Sequence, residues 1–65
     1  MEDNISFSII IPLYNKENSI ADTINSVLIQ NYINFELIIV DDGSTDYSAD
    51  VVRKFTDKRI KLYQK

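Results

Sequence analysis

The stretch FELIIVDDGSTD, Phe35 to Asp46, decides how this chain is read. An apolar run interrupted only by Glu36 ends on two adjacent carboxylates, Asp41 and Asp42. Gly43 and the small polar residues Ser44 and Thr45 follow. A short apolar run bounded by turn residues reads as a buried strand, because it is too short for a helix. Gly43 permits a positive-φ turn and close approach of the backbone to another group. Any of Ser44, Thr45 or Asp46 can cap a second helix, expected to run to about Thr56. Its inner side would carry Ala49, Val52 and Phe55, with Val51 beside them. A solvated turn needs no paired acids at the end of a buried strand, whereas a site that holds something does.

Upstream, Asn15–Gln30 reads NKENSIADTINSVLIQ. Ile20, Ile24, Val27 and Leu28, with Ala21 adjoining, form one apolar stripe at helical spacing. Asn15 or Asn18 is expected to cap this helix, and Glu17 suits the positive end of its dipole. Asn31 and Asn34 bracket the turn that follows. Further upstream, Ser6–Leu13 reads SFSIIIPL. The unbroken Ile9-Ile10-Ile11 suggests a strand buried on both faces, as in parallel sheets. Pro12 has no N–H to donate, so it should lie at the C-terminal end of that strand. Downstream, Arg59–Tyr63 alternates Ile60 and Leu62 with Lys61 and Tyr63, as a strand nearer an edge would.

The order β-α-β-α-β implies parallel strands joined by right-handed helical crossovers. The fold class is therefore α/β and Rossmann-like, with three parallel strands in the order 3-2-1, half of a doubly wound domain. In such a sheet the triple-isoleucine strand lies at an edge. A long apolar edge is normally covered. Residues 1–65 therefore read as the first, incomplete part of a larger domain, and the last strand runs out at Lys65 without a closing helix.

Composition narrows the function. A chain of 65 residues holds at most one small domain, with a core that is marginal without staples. It has no Cys and no His, which removes disulfide scaffolds, zinc fingers and the usual nucleophile triads. Ten acidic against seven basic residues give a net charge of −3, which argues against nucleic acid as a partner. The apolar runs are far too short to span a membrane. Met1-Glu2-Asp3-Asn4 is acidic where a signal peptide would be basic.

In doubly wound sheets, ligands bind outside the carboxyl ends of the strands. Strand one ends in Pro12-Leu13-Tyr14-Asn15, and strand two in Asp41-Asp42-Gly43-Ser44. Adjacent parallel strands bring these segments together, so a ring and a carboxylate pair converge on one crevice. That combination suits a nucleobase: the ring stacks on it and the carboxylate accepts from an imide N–H, the edge that uracil presents. Other readings exist. Asp41 and Asp42 can be turn and cap acids, and Tyr14 a strand-end aromatic. Paired acids can also bind Mg²⁺, as in a phosphoacceptor receiver, but there the pair follows the first strand. A dinucleotide fold needs a glycine-rich loop after strand one, and the single glycine here follows strand two. A stand-alone flavodoxin-like signalling or interaction module is the alternative of a different class.

Taken together, SIIIPLYNKENSI, INSVLIQNYINFELIIVDDGSTD and RIKLYQK closely resemble the start of the family 2 glycosyltransferases. The resemblance runs from about Ser6 to Lys65. DDGS alone is weak; Pro-x-Tyr-Asn at a strand end, the Gln-Asn-Tyr turn and Val-Asp-Asp-Gly-Ser-Thr-Asp at this spacing are strong together. The resemblance implies the GT-A fold and an inverting transfer from a nucleotide-diphosphate sugar, here a UDP-sugar, to an acceptor hydroxyl. It implies that Pro12 and Tyr14 line the base pocket, that Asp42 takes the uracil N–H and that Asp41 shapes the turn. The position two after Tyr14, often an acid on the ribose, is Lys16, so Glu17 beside it is the acid expected on the nucleotide, with Asp41 supporting the same site. In the family a divalent metal, Mn²⁺ or Mg²⁺, is held by an Asp-x-Asp motif beyond the third strand, and a catalytic base lies further on. Neither motif occurs in these residues, so the segment is expected to carry no catalytic or metal-ligating residue and to be inactive alone. The implied partners are the nucleotide-sugar donor and an acceptor glycan or lipid-linked sugar. The implied setting is cytoplasmic, with membrane association through other parts of the protein. The exposed apolar edge implies self-association of the isolated segment.

Overall fold

Five elements alternate along the chain: β1 (Phe7–Leu13), α1 (Ile20–Leu28), β2 (Phe35–Asp41), α2 (Ser48–Arg53) and β3 (Ile60–Gln64). The computed structural model describes residues 7–30 and 34–65. The strands form one parallel sheet in the order β1-β2-β3, the adjacency expected. In register, Ile9 faces Leu37, Ile11 faces Ile39 and Leu13 faces Asp41, while Leu37 and Ile39 face Ile60 and Leu62 on the other side. Ser6, Asn31 and the Gln-Asn-Tyr turn beyond Gln30 lie outside the described residues.

Both helices contribute to a single core on one side of the sheet. Ile20 and Ile24 of α1 and Val52 of α2 bury themselves with Leu13, Phe35, Leu37 and Ile39. Strand residues alternate between faces, so β2 reads buried at Phe35, Leu37, Ile39 and Asp41 and half-buried between them. Each fully buried aliphatic side chain here contributes about 1.5–3 kcal/mol. At the N-terminal ends of β1 and β2 Phe7 stacks on Phe35 with ring centroids 6.1 Å apart, and the Arg59 guanidinium lies 4.6 Å from the Phe35 centroid.

The expectation that the triple-isoleucine strand is buried on both faces is corrected. Ile9 and Ile11 pack against the core, but Ile10 is 64% exposed. The reason is topological: consecutive right-handed crossovers put both helices on the same face of this three-stranded sheet. Ile10, Pro12, Ile38, Val40 and Tyr63 share the other face, which neither helix covers.

The helix boundaries also differ from expectation. α1 begins only at Ile20, with Ser19 at the N-cap and no side-chain capping bond. Asn15 does not cap it, because Asn15 sits in the left-handed region (φ 49°) and faces the other crossover. α2 ends at Arg53, short of Thr56. There the Lys54 and Phe55 N–H groups bond to the carbonyls three residues back, tightening the last turn. Asp57 then turns the chain into β3, its carboxylate accepting from the Arg59 backbone N–H at 2.9 Å.

Candidate functional site

β1 and β2 end side by side, so the residues that follow them meet at one edge of the sheet. The Asp42 N–H donates to the Leu13 carbonyl at 2.9 Å, extending the ladder one step beyond the paired strands. Tyr14 follows that carbonyl and is 54% exposed; Asp42 is exposed as well. Pro12, one register step earlier, faces Val40 and is exposed on the uncovered face of the edge strand, where its missing N–H costs no ladder bond. The fold thus brings Pro12, Tyr14 and Asp42 to one corner, with the Tyr14 and Asp42 side chains open to solvent.

The two adjacent acids have different surroundings. Asp41 points into the helix-covered side and is only 3% exposed. Its Oδ1 accepts from the Ser44 N–H at 3.0 Å, and Oδ2 is 3.5 Å from the Gln64 side-chain amide. The Ser44 hydroxyl, then the Ser44 N–H and Gln64, hold the Asp41 carboxyl below its ordinary value against the opposing effect of burial. Asp41 therefore ties down the turn that presents Asp42. Gly43 completes the turn at φ 78°, as expected of it. A side chain there would meet nothing within 4 Å, so glycine answers the backbone conformation and not a shortage of space.

Glu17, which sequence reasoning placed on the nucleotide, reaches across to the second crossover. Its carboxylate accepts from the Tyr47 N–H at 2.8 Å, while its own N–H donates to Asp46 Oδ2 at 3.1 Å. Asp46 Oδ1 accepts from the Ser48 N–H at 2.9 Å and from the Ser48 hydroxyl. The fully buried Ser48 hydroxyl accepts from the Lys16 N–H at 2.7 Å. Asn15 makes the same kind of crossing: its N–H donates to Ser44 Oγ at 3.0 Å and its Oδ1 accepts from the Thr45 N–H at 2.8 Å. Burial pushes the Asp46 carboxyl up, but the Ser48 hydroxyl and N–H and the Glu17 N–H outweigh it and hold it below its ordinary value.

Sequence reasoning put Asn15 and Ser44 in the converging strand ends, gave Asn15, Ser44, Thr45 and Asp46 no role beyond local helix caps there, and passed over Ser48. The available signal was the density of short polar side chains after Gly43, more than one helix start requires. No residue type announces that their partners lie on the preceding crossover.

Among the described residues, no three acidic side chains are placed to hold a metal ion. Asp41 is engaged with the turn and Asp42 faces solvent, so the pair does not form a chelate, and no step through a metal is derived from these residues.

This is a three-stranded parallel α/β sheet of doubly wound type, with its polar corner at the carboxyl ends of the strands. Residues 8–65 match the model of glycosyl transferase family 2, and the chain belongs to that family. Over 60 residues it is 48% identical to an Escherichia coli UDP-Glc:alpha-D-GlcNAc-diphosphoundecaprenol beta-1,3-glucosyltransferase, WfgD, covering 92% of this chain and 24% of that protein. It is 39% identical to the putative glycosyltransferase EpsE of Bacillus subtilis, covering 98% of this chain and again 24% of the relative. Of solved structures, S. aureus TarS 1-349 superposes with a TM-score of 0.85 at 38% identity, over 94% of this chain and 19% of that one. A mannosyltransferase from Pyrobaculum calidifontis, PcManGT, in complex with GDP-Man and Mn²⁺, gives 0.84 at 26% identity, over 91% and 19%. The chain thus spans between 8% and 24% of the length of these and other curated relatives it matches.

Proposed function

We propose that this segment is the nucleoside-binding part of a glycosyltransferase that moves a sugar from a UDP-sugar to an acceptor hydroxyl with inversion. The observation that carries the reading is the corner built by the Asp42-to-Leu13 hydrogen bond. It puts a solvent-open tyrosine and a solvent-open carboxylate beside each other at the ends of parallel strands. Tyr14 stacks on the base, Asp42 accepts its imide N–H, and Pro12 lines the pocket. Asp41 is the support that keeps the turn in place. The UDP-Glc named for the Escherichia coli relative supports uridine, and the diphosphoundecaprenol in the same name supports a lipid-linked acceptor. An acceptor of that kind is in keeping with a cytoplasmic reaction beside a membrane, the association made through other parts of the protein. The Mn²⁺ in the mannosyltransferase complex supports a divalent metal, Mn²⁺ or Mg²⁺, held by residues outside this segment.

The test is calorimetry of UDP binding to the whole protein. Asp42→Ala is expected to weaken binding by about 1.5–3 kcal/mol, the range for a hydrogen bond to a charged group. Unchanged affinity in that variant overturns the assignment of Asp42 to the base.

A further inference from the structure

We propose that Glu17 and Asp46 are positioning residues. Together they lock the crossover bearing Tyr14 to the crossover bearing Asp42, and so set the width of the nucleoside pocket without touching the nucleotide. The inference rests on the nucleoside-binding reading above. It begins from the reciprocity of the two contacts. Glu17 gives its N–H to Asp46 Oδ2 and takes the Tyr47 N–H on its own carboxylate. This is the logic of a capping box, in which a residue at the cap and an acid three positions later exchange backbone bonds. Here the two acids lie on different crossovers, so the bonds that satisfy the start of α2 also join the loops. Neither helix is capped by the side chain of its own N-cap residue; at the start of α2 Glu17 takes the Tyr47 N–H from across the loops and Asp46 takes the Ser48 N–H locally.

The clamp is the outermost of several ties between the two loops. Tyr14 leaves β1 and is joined to the second crossover through the two bonds of Asn15, the Lys16 bond to Ser48 and the Glu17–Asp46 exchange. Asp42 is anchored on the other side by Asp41 and Ser44. With both loops fixed before a ligand arrives, binding does not have to order them. Fixing groups in the bound geometry raises affinity by removing that cost. The Tyr47 N–H takes only Oε1 of Glu17, so the carboxylate keeps acceptor capacity and the comparison of UDP with its deoxy analogues is what tells the two roles apart.

The experiment measures UDP and 2′- and 3′-deoxy-UDP binding by calorimetry on the whole protein, for the parent, Glu17→Ala, Glu17→Gln and Asp42→Ala. Glu17→Ala is expected to weaken UDP and both deoxynucleotides by the same factor, about tenfold, the equivalent of one lost charged hydrogen bond. The fraction of binding-competent protein should remain that of the parent. Glu17→Gln, whose amide oxygen still accepts the Tyr47 N–H, is expected to recover most of the affinity. Three results overturn the inference: a Glu17→Ala loss that vanishes with a deoxynucleotide, which marks direct ribose contact; a fall in competent fraction at unchanged Kd, which marks a purely structural role; or no change at all. Failure of the underlying reading looks different, since then Asp42→Ala binds UDP as the parent does or the parent does not bind it.

Discussion

Ile10 and Ile39 carry the same side chain on neighbouring strands, one register step apart, and the structure assigns them opposite surroundings. Ile39 is fully buried between the sheet and both helices, whereas Ile10 is 64% exposed on the uncovered face. Replacing each by valine removes a single methyl group and keeps the β-branched shape, so strand preference stays out of the comparison. At Ile39 the loss is the transfer free energy of one group, about 0.8 kcal/mol, plus a small cavity, giving about 0.5–1.5 kcal/mol. At Ile10 only about a third of that transfer free energy is at stake, so about 0.3 kcal/mol is expected. A unit of 65 residues holds only about 3–10 kcal/mol at the usual stability per residue. A loss of 1 kcal/mol moves the midpoint of a domain this size by about 4–8 °C. Thermal unfolding of the isolated segment, followed by circular dichroism at one fixed concentration, should show a clear drop for Ile39→Val and a shift of about 1–2 °C for Ile10→Val. Equal shifts would refute the one-sided core, because they require the Ile10 face to be packed as tightly as the helix side.

Gly43→Ala forces a Cβ into the left-handed conformation and should cost about 1–2 kcal/mol, with Gly43→Asn costing less; a neutral alanine variant in the same melts would contradict the conformational argument. The Arg59 side chain, its backbone N–H and its charge hold the Asp57 carboxyl down at about 2 from an ordinary 3.8. Its stabilisation is therefore complete above about pH 4 and lost as the pH falls through 2. Asp57→Asn should flatten the stability–pH curve in that window, and curves that superimpose there would remove the pair from the account. The uncovered face and the β1 edge should make the isolated segment self-associate, and Ile10→Lys should suppress this. Sedimentation showing the parent segment monomeric at every concentration would count against it.

Much of the candidate site was legible because its chemistry is local. Tyr14, Asp41 and Asp42 stand at strand ends that periodicity alone locates, and a positive-φ turn was expected of Gly43 for reasons of backbone sterics. The division of labour between the two acids needed only the alternation of β2, once the covered face was known. Glu17 is the instructive case. Its sequence neighbourhood suggests the dipole of α1 or a ribose, yet its partner is the Tyr47 N–H, thirty residues further on.

What the sequence determined by itself was the order of elements, their parallel pairing and the position of the polar corner. These depend on the period of apolar residues, on turn chemistry and on the handedness of crossovers, all properties of short segments. What only the tertiary structure decided was which face of the sheet the helices cover and which polar side chains span the crossovers. Ile9, Ile10 and Ile11 are identical in composition and adjacent in the chain, so nothing local distinguishes them; the placement of both helices on one side does. The cross-loop bonds of Asn15, Glu17, Asp46 and Ser48 are likewise decided by distance in space between residues far apart in sequence, and that distance exists only after the sheet has formed.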